Sequence, residues 1–202
     1  MDKFKGILFA ALSAATFGLI PLYANQAILD GVFNETILVY RYGIAGIVYA
    51  IYLLFRRMNM RLTRREVKEV SLAGVGGYGI TAFFLMWSYH YMPTGVATAI
   101  HFFYPVDVAL LMAIFYKERL PLEVKAGIVL AICGVYLLSW TPGEVKWLGL
   151  FFVLMSTVTY GCYITALNRP VLKRMNPDVL TCYVLLFTAL FYLILPKNVP
   201  WL

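Results

Sequence analysis

His101, Tyr104 and Asp107 stand three residues apart in one apolar run, with Pro105 among them. That spacing keeps the three side chains on one broad stripe of a helix. Pro105 has no N–H for the carbonyl of His101, four residues back, so a kink with a freed carbonyl is expected there. A polar stripe beside a proline kink is how a helical bundle lines a cavity. An ionisable side chain in hydrocarbon costs about 2.5–3.5 kcal/mol on insertion scales, so each one needs a partner or a task. Asp107, near the middle of the run, is a candidate coupling-proton site or a partner for a cationic group; the alternative is a neutral or salt-bridged structural carboxyl. His101 either faces the cavity or packs and bonds to a neighbouring helix.

Arg41 lies about six residues inside another apolar run. It could pair with Asp107, bind a substrate carboxylate or snorkel outward, and an interfacial or structural role is the favoured of these. Trp87 and Asn25 are expected as neighbours of the same cavity, Asn25 beside a second kink at Pro21. His90 belongs to the interface, with many of the 15 tyrosines and 4 tryptophans. No nucleophile elbow, phosphate loop, HExxH or paired carboxylates occur, so no enzyme is expected. Cys133, Cys162 and Cys182 lie inside apolar runs without CxxC or Cys/His spacing. They read as free thiols, and neither metal nor cofactor is expected.

These residues must be held by helices in a bilayer. The 202-residue chain is 62% hydrophobic and 13% charged, with a mean hydropathy of +0.78. A water-facing domain carries about 25% charged residues. Runs longer than about 18 apolar residues mark spanning helices. The expected fold is an all-α integral membrane protein of about seven spans: 6–29, 35–55, 70–92, 95–116, 122–140, 147–167 and 177–195. Thr94 is expected to cap the fourth. The first run is longer than a signal peptide's core of about 7–15 residues and has no small-residue cleavage site, so it reads as a retained helix.

Charge gives the orientation. Counting alternate ends, fourteen Lys and Arg fall on the side of the N-terminus and two on the other, with Arg41 inside a span. The positive-inside rule then puts the N-terminus in the cytoplasm, in the plasma (inner) membrane of a bacterium or archaeon. Six of the 17 basic residues crowd into Arg56–Lys68, directly after a span. That is a loop on an anionic leaflet, not a nucleic-acid patch.

A repeat joins the two ends of the chain. Gly6, Ser13, Thr16, Phe17 and Gly18 recur in register as Gly149, Ser156, Thr159, Tyr160 and Gly161. The unit is therefore five helices, and an odd number makes the second copy enter from the opposite side. Residues 1–140 form one complete unit and 147–202 the first two helices of another. Ala10, Ala14 and Gly18 form a small-residue stripe suited to close helix approach. Three further helices would complete the second unit, so the expectation is a piece or shortened form of a ten-helix protein. Its partners are the bilayer, a small solute, and either a second copy or a complementing half.

Several stretches, taken in order, carry a resemblance: Ser13-Ala-Ala-Thr-Phe-Gly18, Arg41-Tyr42, Trp87 to Gly95, Tyr104-Pro105-Val106, Tyr116-Lys-Glu-Arg-Leu120, and Gly127 to Gly134-Val-Tyr-Leu. The chain resembles the drug/metabolite transporter superfamily, in particular its EamA-like group. The resemblance implies a secondary transporter with a 5+5 inverted repeat that exports or exchanges amino-acid-like or other small polar solutes by alternating access. It implies a cavity built mainly from helices 1, 3 and 4, a peripheral fifth helix, and structural roles for Pro105, Pro21, Glu118 and Gly18. Asp107 departs from it, because the family usually has an apolar residue after Tyr-Pro-Val. Replacing Asp107 with Asn is expected to remove pH dependence from transport. The alternative function is a truncated, non-transporting membrane protein acting as a subunit or remnant.

Overall fold

The computed structural model describes residues 3–117, 120–139 and 145–195. Seven long helices follow in order: α1 (Lys3–Leu29), α2 (Asn34–Phe55), α3 (Arg64–Ser88), α4 (Thr94–Tyr116), α5 (Leu122–Ser139), α6 (Trp147–Ala166) and α7 (Pro177–Ile194). A one-turn helix, Pro170–Lys173, links α6 to α7. Every regular element among the described residues is helical. Six of them, α1 to α4, α6 and α7, are long and apolar enough to cross a membrane. The chain is an all-α integral membrane protein. Glu118, expected to act just after α4, lies outside the described residues.

Two starts differ from expectation. α3 begins at Arg64, not near residue 70, because Thr63 and Glu66 form a capping box. The Glu66 carboxylate accepts from the Thr63 N–H at 2.7 Å, and the Thr63 hydroxyl accepts from the Glu66 N–H at 3.3 Å. Two orphan donors are satisfied at once, so a polar first turn can fold ahead of the apolar part. α4 begins at Thr94 itself; its cap position is Pro93, without a side-chain cap.

α3 is the hub, and its glycines explain why. Leu72–Gly79, with sequence LAGVGGYG, is a π-helical segment inside α3. A Cβ on Gly77 would sit 2.8 Å from the Cβ of Tyr163, and one on Gly74 would sit 3.3 Å from the Cα of Val184. Bare backbone thus lets α6 and α7 close onto α3 from two sides. Side-chain hydroxyls also donate to carbonyls of this segment. Thr188 donates to the Gly74 carbonyl at 3.0 Å and Thr81 to that of Gly77 at 2.9 Å. The Tyr192 hydroxyl donates to Gly79.

Tyr192 is fully buried in the core cluster with Leu38, Tyr42, Met86, Ile100 and Val153. Tyr192→Phe keeps that packing and removes the hydrogen bond to Gly79. The expected cost is about 0.5–1.5 kcal/mol, read as a lowered unfolding temperature in detergent.

α4 divides into Thr94–His101 and Tyr104–Tyr116, so the kink expected from Pro105 is present. α1, by contrast, runs as one helix through Pro21. α7 packs on α2 and α3, and α6 packs on α3 and α4. α1 and α5 touch the rest only lightly. A Cβ placed on Gly6 or Gly18 would meet nothing within 4 Å. The structural role expected of Gly18 therefore has no neighbour among the described residues.

Candidate functional site

Helices α2, α3, α4 and α6 surround a cavity of about 360 Å³, with Ser13 reaching it from α1. α2 supplies Arg41 and Tyr42, and α3 supplies Tyr78, Thr81 and Tyr89. The two halves of α4 supply His101 and Tyr104 on either side of the kink, and α6 supplies Tyr160. The structure brings His101, Tyr104 and Arg41 onto one cavity wall.

Arg41 holds the one charge on this wall. Its guanidinium carbon lies 5.2 Å from the centre of the Tyr42 ring, a cation–π distance. No carboxylate among the described residues pairs with it. The suggested pairing with Asp107 does not form, and the side chain borders the cavity.

Proton bookkeeping fixes the His101 tautomer. The Ser156 hydroxyl lies 2.6 Å from the Val153 carbonyl oxygen, and its single proton must go there. His101 Nδ1 lies 2.8 Å from the same hydroxyl and so must be the donor. The neutral ring then keeps Nε2 as an acceptor. Around it the rings lock together. Tyr104 and Tyr160 meet edge to face at 4.6 Å, and His101 stands 5.5 Å from Tyr160.

Asp107 is one turn further along α4 and does not line the cavity. Its carboxyl faces Thr157, and its Oδ2 is buried without a hydrogen-bond partner. Its Cβ fills the gap left by Gly161, where an added Cβ would lie 2.9 Å away. Trp87 is 8% exposed among Phe83, His90 and Phe152, away from the cavity wall. Asn25 is half-buried on α1 and also off that wall. At the opposite end from the basic loop, Asn34 Nδ2 donates to His90 Nε2 at 3.1 Å, which needs a neutral imidazole. Partial burial lowers the His90 pKa, against the pull of Glu35.

The tyrosines are where the sequence misleads most. Many are expected at the membrane interface, yet Tyr42, Tyr78, Tyr89 and Tyr160 line the cavity together with Tyr104, a cavity candidate from the start. Composition does not separate an interfacial tyrosine from a lining one. The usable signal was the repeat, which marks both Ser13 and Tyr160.

Residues 4–140 match the EamA-like transporter family. An uncharacterised transporter of Archaeoglobus fulgidus is 28% identical over 160 residues, covering 79% of this chain and 56% of that protein. A probable terminal-alkyne amino-acid exporter of Streptantibioticus cattleyicolor is 27% identical over 169 residues, covering 78% of this chain and 57% of its own. The chain spans about half the length of these curated relatives. No solved structure matches. With the family matched across the helices that supply most of the cavity wall, the chain belongs to the EamA-like transporter family.

Proposed function

We propose that the chain is the larger part of a secondary transporter that moves small carboxylate-bearing, amino-acid-like solutes by alternating access. The observation that carries this reading is Arg41, a cation with no carboxylate partner among the described residues, facing a cavity of phenols and an imidazole acceptor. A guanidinium matches a carboxylate in two parallel hydrogen bonds. The relative named for amino-acid export supports the same solute class. In this reading residues 1–140 are one five-helix unit and 147–202 open an inverted second one. The basic ends face the cytoplasm and the membrane is the plasma membrane.

Asp107 is the proton-binding carboxyl. It lies at the contact of α4 with α6 and not among the cavity groups, so proton binding acts on helix contact and not on the solute directly. Exchange of labelled amino acids in proteoliposomes, followed across pH, tests both parts. Saturable exchange with a pH dependence that Asp107→Asn removes is the expected result. An unchanged pH dependence takes the coupling role from Asp107, and absence of exchange for every carboxylate solute removes the transport reading. The bare face of α1 favours a second reading, in which the chain works as a subunit beside another copy or a complementing half.

A further inference from the structure

Three tyrosine rings divide the interior of the bundle. The ring centre of Tyr78 lies 5.3 Å from that of Tyr163 and 6.3 Å from that of Tyr160, while Tyr160 and Tyr163 are 5.8 Å apart. On one side Tyr78 and Tyr160 line the Arg41 cavity. On the other, toward the end that carries the basic loop, Tyr163 and Gly77 line a second hollow of about 190 Å³. The two hollows share no lining residue. Glu69 and Arg169 border the second one, and their ion pair at 3.0 Å ties α3 to the segment after α6.

The helix beneath these rings is built to turn. Tyr78 belongs to the π-helical segment Leu72–Gly79. A π turn holds one residue more than an α turn, so restoring an α turn rotates one side of the helix against the other by about 100°. Such a rotation carries the Tyr78 ring away from both partners. Glycines at 74, 76, 77 and 79 oppose it little, because they have no side chain to drag through a neighbour. The hydroxyls of Thr188, Thr81 and Tyr192 on the carbonyls of Gly74, Gly77 and Gly79 hold the arrangement with the rings together.

The geometry points to Tyr78, Tyr160 and Tyr163 as the gate that closes the solute cavity toward the basic end. The π segment is its hinge, and Glu69–Arg169 is an outer latch. This extends the transport reading, but its test reads access alone, so the two fail separately.

Ala82 lines the cavity and Cys162 lines the second hollow, so thiols at these two places report on opposite sides of the gate. Single-cysteine chains are made with either Cys162 alone or Ala82→Cys alone, the other native cysteines being replaced by Ser. An anionic methanethiosulfonate is added to the basic-end face of oriented vesicles. Cys162 is expected to react fast and Ala82→Cys slowly. Adding Tyr163→Ala, which removes two of the ring contacts, is expected to speed Ala82→Cys about ten-fold or more and leave Cys162 unchanged. Two results overturn the gate: Ala82→Cys reacting as fast as Cys162 with all three rings present, or its rate staying fixed when Tyr163 is cut back. Where Tyr163→Ala also alters Cys162, and so the fold, Tyr163→Leu keeps the volume, removes the ring, and decides the matter by the same two rates.

Discussion

Arg41→Gln is expected to weaken the binding of carboxylate solutes strongly, while Arg41→Lys recovers part of it. A hydrogen bond to a charged partner contributes about 1.5–3 kcal/mol net. Removing this cation, the one that the described residues place on the cavity wall, therefore weakens binding by about ten- to a hundred-fold or more. Lysine restores the charge but not the planar fork that meets both carboxylate oxygens, so it recovers part of the affinity. Stability should move the other way. Arg41 is half-buried and pairs with no carboxylate among the described residues, so the fold carries a poorly compensated charge until solute arrives. Arg41→Gln is thus expected to leave the unfolding temperature unchanged or raise it without solute, and to lose the rise that an added carboxylate gives the native chain. Titration of carboxylates and of their neutral amides separates the cases. Equal affinity for both in the native chain, or unchanged carboxylate binding in Arg41→Gln, would refute the assignment.

The second large effect is expected at Gly161, where α4 rests on α6. A Cβ there falls 2.9 Å from the Cβ of Asp107 and 3.3 Å from a methyl carbon of Leu111. The Asp107 backbone carbon is only 3.5 Å away, so the side chain cannot simply swing clear. Overpacking of this kind costs about 1–3 kcal/mol for small additions. Gly161→Ala is expected to lower the unfolding temperature, and Gly161→Leu to prevent stable assembly. The counterpart in the repeat gives an internal control. Gly18 has open space where its Cβ would be, so Gly18→Ala should fold normally in the same detergent assay. Equal behaviour of the two alanine variants would mean that the α4–α6 contact is not as close as described.

Much of the fold was written in the hydropathy. All seven helices fall where apolar runs place them, because in lipid a spanning segment must satisfy its own backbone. The boundaries that slipped have local causes. The polar first turn of α3 hides from hydropathy but not from the Thr63-x-x-Glu66 capping pattern, which could have been read. The Pro105 kink was legible because it follows from one missing N–H. The π segment was not, since four glycines in eight residues fit an ordinary close-packed helix equally well.

The site was half legible. His101, Tyr104 and Arg41 announced themselves as polar groups in apolar runs, and they do share a cavity. Asp107 announced itself the same way and lies elsewhere: it shares a helical segment with Tyr104 but sits one turn further on, against Gly161 and Thr157 of α6. Trp87 missed the cavity for a different reason: it sits on the face of α3 that meets Phe152 of α6.

The wide turn in α3 also sets where this helix can tolerate a change of length. An α-helix that loses one residue turns everything beyond the loss by about 100°. In Ile80–Ser88 that would swing Thr81, Ala82, Met86 and Trp87, all buried, out of their places. In Leu72–Gly79 the same loss takes away the surplus residue and leaves an ordinary turn. The glycine run is therefore the stretch of the bundle's central helix that a one-residue deletion can shorten without dismantling the rest.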